Sequence, residues 1–109
     1  MKKILYPNKL IRDNIPADIE ARGARYSTRI LNAEDFEREL KKKLIEESTE
    51  VANEREHLVG ELADVLELIK SIAQLSNIPF EQVEVEQTTK RKKKGAFEKK
   101  LFLEWVEEN

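Results

Sequence analysis

Apolar residues recur along the middle of the chain at helical spacing. With roughly 100° per residue, Phe36, Leu40, Leu44 and Val51 fall within about 80° of one another and make one stripe. Asn32 stands before that stripe as a good N-cap, with Asp35 at the third helical position. Glu34, Asp35 and Glu37 suit the positive end of the helix. The pattern predicts a long helix after Asn32, a turn over Asn53–Glu56, and a second helix from about His57 to Leu75. In the second helix Leu58, Leu62, Val65, Leu66, Leu68, Ile69, Ile72, Ala73 and Leu75 cover a broad arc. An arc that wide implies packing against more than one partner helix, so this helix is expected to be central and to take part in a dimer interface.

The flanks are shorter and less periodic. Residues 3–15 mix apolar and charged positions, with a turn at Pro7-Asn8, and predict an ordered but irregular arm. Pro16 suits the first turn of a short helix over Ala17–Arg22, which Gly23 is placed to end. Tyr26–Leu31 is β-prone and predicts a short strand. Pro79 opens a further helix through Phe80, Val83 and Thr88–Thr89 into a basic run, and Gly95 is a suitable stop. The tail from Ala96 carries Phe97, Leu101, Phe102, Leu103, Trp105 and Val106 in a pattern that does not choose between strand and helix. It is expected to pack back on the body and to pair with Tyr26–Leu31. The fold class is all-α, mainly helical. An antiparallel helix pair forms a bundle core completed by dimerisation, with short extended N- and C-terminal segments, in one domain over residues 1–109.

Acidic residues interrupt the two apolar stripes. Glu47 falls about 20° from Phe36, inside the first stripe, and Glu50 lies on its edge. Glu61 lies within the second arc beside Leu68 and Ile72, and Asp64 on its border. A solvated glutamate belongs opposite the stripe, because burying an isolated carboxylate is costly. Any one of these could be a rim residue whose carboxylate reaches water. Two pairs on two facing stripes favour another reading. Glu47–Glu50 and Glu61–Asp64 each have i, i+3 spacing, so each pair projects from one face. Antiparallel helices would bring four carboxylates to one point, where a hard divalent cation with oxygen ligands offsets their repulsion. Mg2+ is the expected ion, with Mn2+ able to replace it.

Charge distribution adds to this. Residues 34–67 hold twelve acids against five Lys or Arg, whereas residues 90–100 hold seven bases and one acid. An acidic block and a basic block suit a metal and a polyphosphate, although solvated helix faces produce the same pattern. The formal net charge of −2 gives no global pull toward nucleic acid or membrane. With no cysteine, disulfides, thiolate metal sites and cysteine nucleophiles are excluded. The apolar run in MKKILYPNKLIRD is too short for a signal peptide, and no stretch is long enough to span a membrane. A cytoplasmic location is expected.

Taken together, Glu46-Glu47-x-x-Glu50 and Glu61-x-x-Asp64 resemble the metal motif of the MazG-like all-α nucleoside triphosphate pyrophosphohydrolases. Two further elements resemble a small, phosphoribosyl-ATP pyrophosphohydrolase-like subgroup: the arm Asn8-Lys9-Leu10-Ile11-Arg12-Asp13-Asn14-Ile15-Pro16, and Lys93-Lys94-Gly95-Ala96-Phe97, where the subgroup usually has a double glycine. The resemblance spans nearly the whole chain and implies Mg2+-dependent hydrolysis of a nucleoside triphosphate to the monophosphate and pyrophosphate. Glu47, Glu50, Glu61 and Asp64 would be the metal ligands. Glu46 would orient or deprotonate the attacking water, and Lys9, Arg12, Arg91 and Lys94 would neutralise the triphosphate. The expected partners are the nucleotide and further copies of the chain, as a dimer or tetramer. Phosphoribosyl-ATP is an alternative substrate on the same fold. A non-catalytic helical protein using residues 90–94 on nucleic acid is the rival of a different class. It accounts for the basic run but leaves Glu47 and Glu61 on the apolar stripes unexplained. A di-iron carboxylate bundle needs repeated Glu-x-x-His pairs, and Glu54-Arg55-Glu56-His57 offers one, with the only histidine of the chain.

Overall fold

The structure is a computed structural model in which residues 3–108 are described. The start of the basic N-terminal flank and the last residue of the tail therefore lie outside the described residues. The chain divides into two compact units, Met1–Asn77 and Ile78–Asn109.

In the first unit, α1 spans Ile15–Ala21, α2 spans Ala33–Asn53 and α3 spans Leu58–Leu75. Pro16 occupies the first turn of α1, where a missing N–H leaves no bond unmade. Gly23, at φ 73°, turns the chain out of α1. There the Gly23 amide donates to the Glu20 carbonyl at 2.9 Å, in a left-handed conformation that glycine adopts freely. Helix α2 starts as its sequence predicts, with the Asn32 side-chain oxygen accepting from the Asp35 amide at 2.8 Å. The four residues between α2 and α3 reverse the chain, and the two helices pack antiparallel.

The seam between α2 and α3 is built from the expected stripes. Leu40, Leu68 and Ala73 are buried, and Phe36, Leu44, Val51, Val65, Ile72 and Leu75 are half-buried around them. The rest of the broad arc on α3 faces outward. Leu62 remains 50% exposed and Leu66 44%, and Val59, outside the arc read from the sequence, is 85% exposed. One partner helix covers only part of a face this wide.

The second unit holds α4, Phe80–Lys94. Pro79 is its N-cap, and the Gln82 amide donates to the Pro79 carbonyl at 3.0 Å. Arg91, Lys92, Lys93 and Lys94 fill the last turn, where cations meet the negative end of the helix dipole. Gly95 ends the helix at φ 86°, and the following Ala96 does not have a positive φ. The helix stop therefore needs a glycine at position 95 alone.

Two expectations are corrected. Tyr26–Leu31 forms no strand, and the described residues of the tail after Gly95 are neither strand nor helix. β-propensity alone does not make a strand, because a strand requires a partner to satisfy its backbone groups. Ile30 is 99% exposed, and the Tyr26 hydroxyl donates instead to the Glu20 carboxylate at 2.7 Å. In the tail, Phe97, Leu101, Phe102 and Trp105 are all exposed.

With so few side chains in the core, local devices carry an unusual share of the stability. Asn32→Ala should destabilise the chain by about 1 kcal/mol. Leu40→Ala should destabilise it by about 2 kcal/mol or more. Urea denaturation followed by circular dichroism measures both, and an unchanged midpoint in Leu40→Ala would contradict this account of the core.

Candidate metal centre

Helix α2 carries Glu47 near its C-terminal end, and α3 carries Glu61 and Asp64 in its first two turns. Antiparallel packing across a four-residue connection brings these ends together. Glu47, Glu61 and Asp64 each present one carboxylate oxygen, and the three oxygens lie within 4.8 Å of one another. All three residues are half-buried. The donor set is oxygen only, which suits a hard divalent cation such as Mg2+ completing its shell with water. These residues fit such an ion by chemistry and spacing.

The electrostatics are those of a crowded acidic group. Burial pushes the Glu61 carboxyl above the ordinary glutamate value, and the charges of Glu47, Glu50, Asp64 and Glu54 push it further the same way. Glu50 is exposed and lies outside the close trio, although its charge still reaches Glu61. Two cationic side chains partly offset the repulsion. Arg12 Nη2 donates to Asp64 Oδ1 at 2.6 Å, and Lys43 Nζ lies 3.8 Å from Glu47 Oε1.

Glu54 holds the connection that makes this approach possible. Its amide donates to the Glu50 carbonyl at 2.8 Å and closes α2. Its carboxylate accepts from the amides of Arg55, Glu56 and His57 at 3.2, 3.0 and 3.2 Å, respectively. The amides of His57 and Glu56 hold the Glu54 carboxyl below its ordinary value. Glu54 contributes stability at neutral pH that is lost as pH falls through and below the ordinary glutamate range. His57 Nδ1 lies 3.5 Å from Glu54 Oε1, so the single Glu-x-x-His pair is part of this turn.

The other expected site residues are dispersed. Glu46 lines a shallow cleft with Lys9, Leu10, Glu39, Lys42 and Lys43. On α2, Glu39, Lys42, Lys43 and Glu46 share one face, and Lys43 links that cleft to Glu47. Lys9 therefore shares a cleft with Glu46, and Arg12 bonds to Asp64 of the acidic trio. Arg91 and Lys94 belong to the second unit, where both are exposed and Arg91 Nη2 lies 3.4 Å from Glu98 Oε1. Sequence reasoning missed Lys43 and Glu54. Lys43 was legible as the i−4 neighbour of Glu47, whereas an acid bonding forward to three amides has no periodic signature.

Because its pKa is raised by folding, Glu61 contributes full stability only below its unfolded pKa, and that contribution is lost as pH rises through the folded value. Glu61→Gln should therefore raise the melting temperature at neutral pH, and the gap from the unmodified chain should close on acidification. Calorimetry across pH tests this, and a lower melting temperature for the variant at neutral pH would contradict the assigned burial and repulsion of the Glu61 carboxylate. No family model, curated protein or solved structure matches the chain, so the reading of this site rests on its residues and their geometry.

Proposed function

We propose that the chain hydrolyses a nucleoside triphosphate to the monophosphate and pyrophosphate with Mg2+ or Mn2+ held by its acidic trio. The observation that carries this reading is the convergence of Glu47, Glu61 and Asp64 from two helices, with their oxygens within 4.8 Å of one another. Surface carboxylates along one helix do not require such an approach. Here the packing of α2 on α3 imposes it, and the Glu61 carboxyl is pushed above its ordinary value by burial first and by the neighbouring carboxylates after that.

When bound, a divalent ion there supplies charge neutralisation for phosphoryl oxygens and lowers the pKa of a coordinated water. Glu47, Glu61 and Asp64 would hold it, with Glu50 adjacent as a further carboxylate. The chain's own groups then have distinct roles. Glu46 is exposed, one position before Glu47, and is the proposed acceptor of the proton from the attacking water. Lys9, Lys42 and Lys43 line the same cleft as Glu46 and supply cations for a phosphate chain. Arg12 can grip phosphate bidentately once its guanidinium is free of Asp64. The phosphate grip proposed here rests on these residues of the first unit.

Self-association is part of the proposal. The outward face of α3, with Leu62 and Leu66 about half exposed, is the apolar surface that a second copy would cover. No helix among the described residues is long and apolar enough to cross a membrane, which leaves that face without a membrane-spanning role.

A panel of ribo-, deoxyribo- and modified nucleoside triphosphates, with phosphoribosyl-ATP included, should show pyrophosphate release that depends on Mg2+ or Mn2+. Glu47→Gln and Asp64→Asn should reduce it to background while circular dichroism remains unchanged. Full activity in either variant would remove that residue from the site, and no turnover of any substrate would refute the enzymatic reading. Sedimentation should show a dimer or larger assembly at micromolar concentration that Leu66→Glu disrupts. A stable monomer would refute self-association.

A further inference from the structure

Arg12 occupies an unexpected place for a phosphate-binding residue. Its guanidinium bonds to one member of the acidic trio, with Nη2 2.6 Å from Asp64 Oδ1, a contact between residues 52 positions apart in sequence. The arm holds the backbone there. The Ile15 amide donates to the Arg12 carbonyl at 3.1 Å at the entry to α1, and Leu10 and Ile11 are half-buried just before it. The side chain itself is 56% exposed and that of Asp64 43%. The backbone is thus anchored while the charged end remains free to exchange.

A divalent ion seated on Glu47, Glu61 and Asp64 needs the carboxylate that Arg12 contacts. Two cations on one carboxylate at such range repel each other. An exposed ion pair of this kind is weak, equivalent to an affinity change of about two- to five-fold. That strength suffices to balance part of the trio's charge and is readily overcome by a divalent ion with three oxygen ligands. The guanidinium released in the exchange stays tethered beside the site, with N–H donors in the fork geometry that matches phosphate.

We propose that Arg12 is the resident counter-cation of Asp64 within the acidic trio, and that a divalent ion displaces it from that carboxylate and so frees it for the phosphates of the substrate. The inference rests on the metal reading given above and adds an order of events to it, with cation binding preceding the arginine grip.

Mn2+ binding followed by electron paramagnetic resonance of the free ion tests the exchange without any activity measurement. At low ionic strength, Arg12→Ala and Arg12→Gln should bind Mn2+ about two- to five-fold more tightly than the unmodified chain. Arg12→Lys, which keeps the charge, should stay close to the unmodified chain, and added salt should narrow the differences. In 15N NMR, diamagnetic Mg2+ should shift the Arg12 Nε–H resonance, and Asp64→Asn should abolish the shift. Equal or weaker Mn2+ binding by folded Arg12→Ala and Arg12→Gln would overturn the counter-cation role while leaving the metal site in place. Failure of the unmodified chain to bind Mn2+ would overturn the metal reading and this inference together.

Discussion

The structure depends on a conflict between apolar packing and charge at the joined ends of α2 and α3. Burial of Leu40, Leu68 and Ala73 drives the two helices together. The stripes that carry these residues also carry Glu47 and Glu61, so closing the seam presses carboxylates into one another's field. The raised pKa of Glu61 registers that conflict. The apolar seam prevails because half-buried carboxylates keep some water and because cations lie close by. Arg12 is on Asp64 and Lys43 is beside Glu47.

The remaining devices of the first unit serve that junction. Asn32 caps the far end of α2, and the Glu54 carboxylate fastens the reversal by accepting hydrogen bonds from three backbone amides, so the register between the helices is held by polar contacts at its short connection. The N-terminal arm brings Arg12 to the acidic trio and Lys9 to the cleft beside Glu46. An acidic group with lysines on one flank and an arginine upon it is chemically suited to a divalent ion and a polyphosphate, which is the basis of the proposed hydrolysis. The same elements explain how a strained acidic cluster persists without unfolding the hairpin.

The core itself is slender. The outward face of α3 presents Val59, Leu62 and Leu66, and the tail of the second unit presents Phe97, Phe102 and Trp105. Among the described residues these are large apolar side chains left in contact with water. For α3 the proposed partner is a second copy of the chain, which would add to the core the area that one hairpin lacks.

Helices were legible in the sequence because their signals are local. The stripe of Phe36, Leu40, Leu44 and Val51, the Asn32 cap, Pro16, Pro79 and Gly95 each act within a few residues, and the structure keeps all of them. The intrusion of Glu47 and Glu61 into the apolar stripes was legible for the same reason, since it follows from helical periodicity alone. The strand at Tyr26–Leu31 was misread because β-structure needs a partner that sequence cannot supply, and here the Tyr26 hydroxyl bonds to Glu20 instead. Only tertiary structure decided that Glu47, Glu61 and Asp64 form the close group while Glu50 stands outside it, because that choice depends on the rotation of α3 against α2 across a turn held by Glu54. Likewise, Arg12 and Asp64 meet from opposite ends of the first unit, and no periodicity within either segment encodes a contact between them.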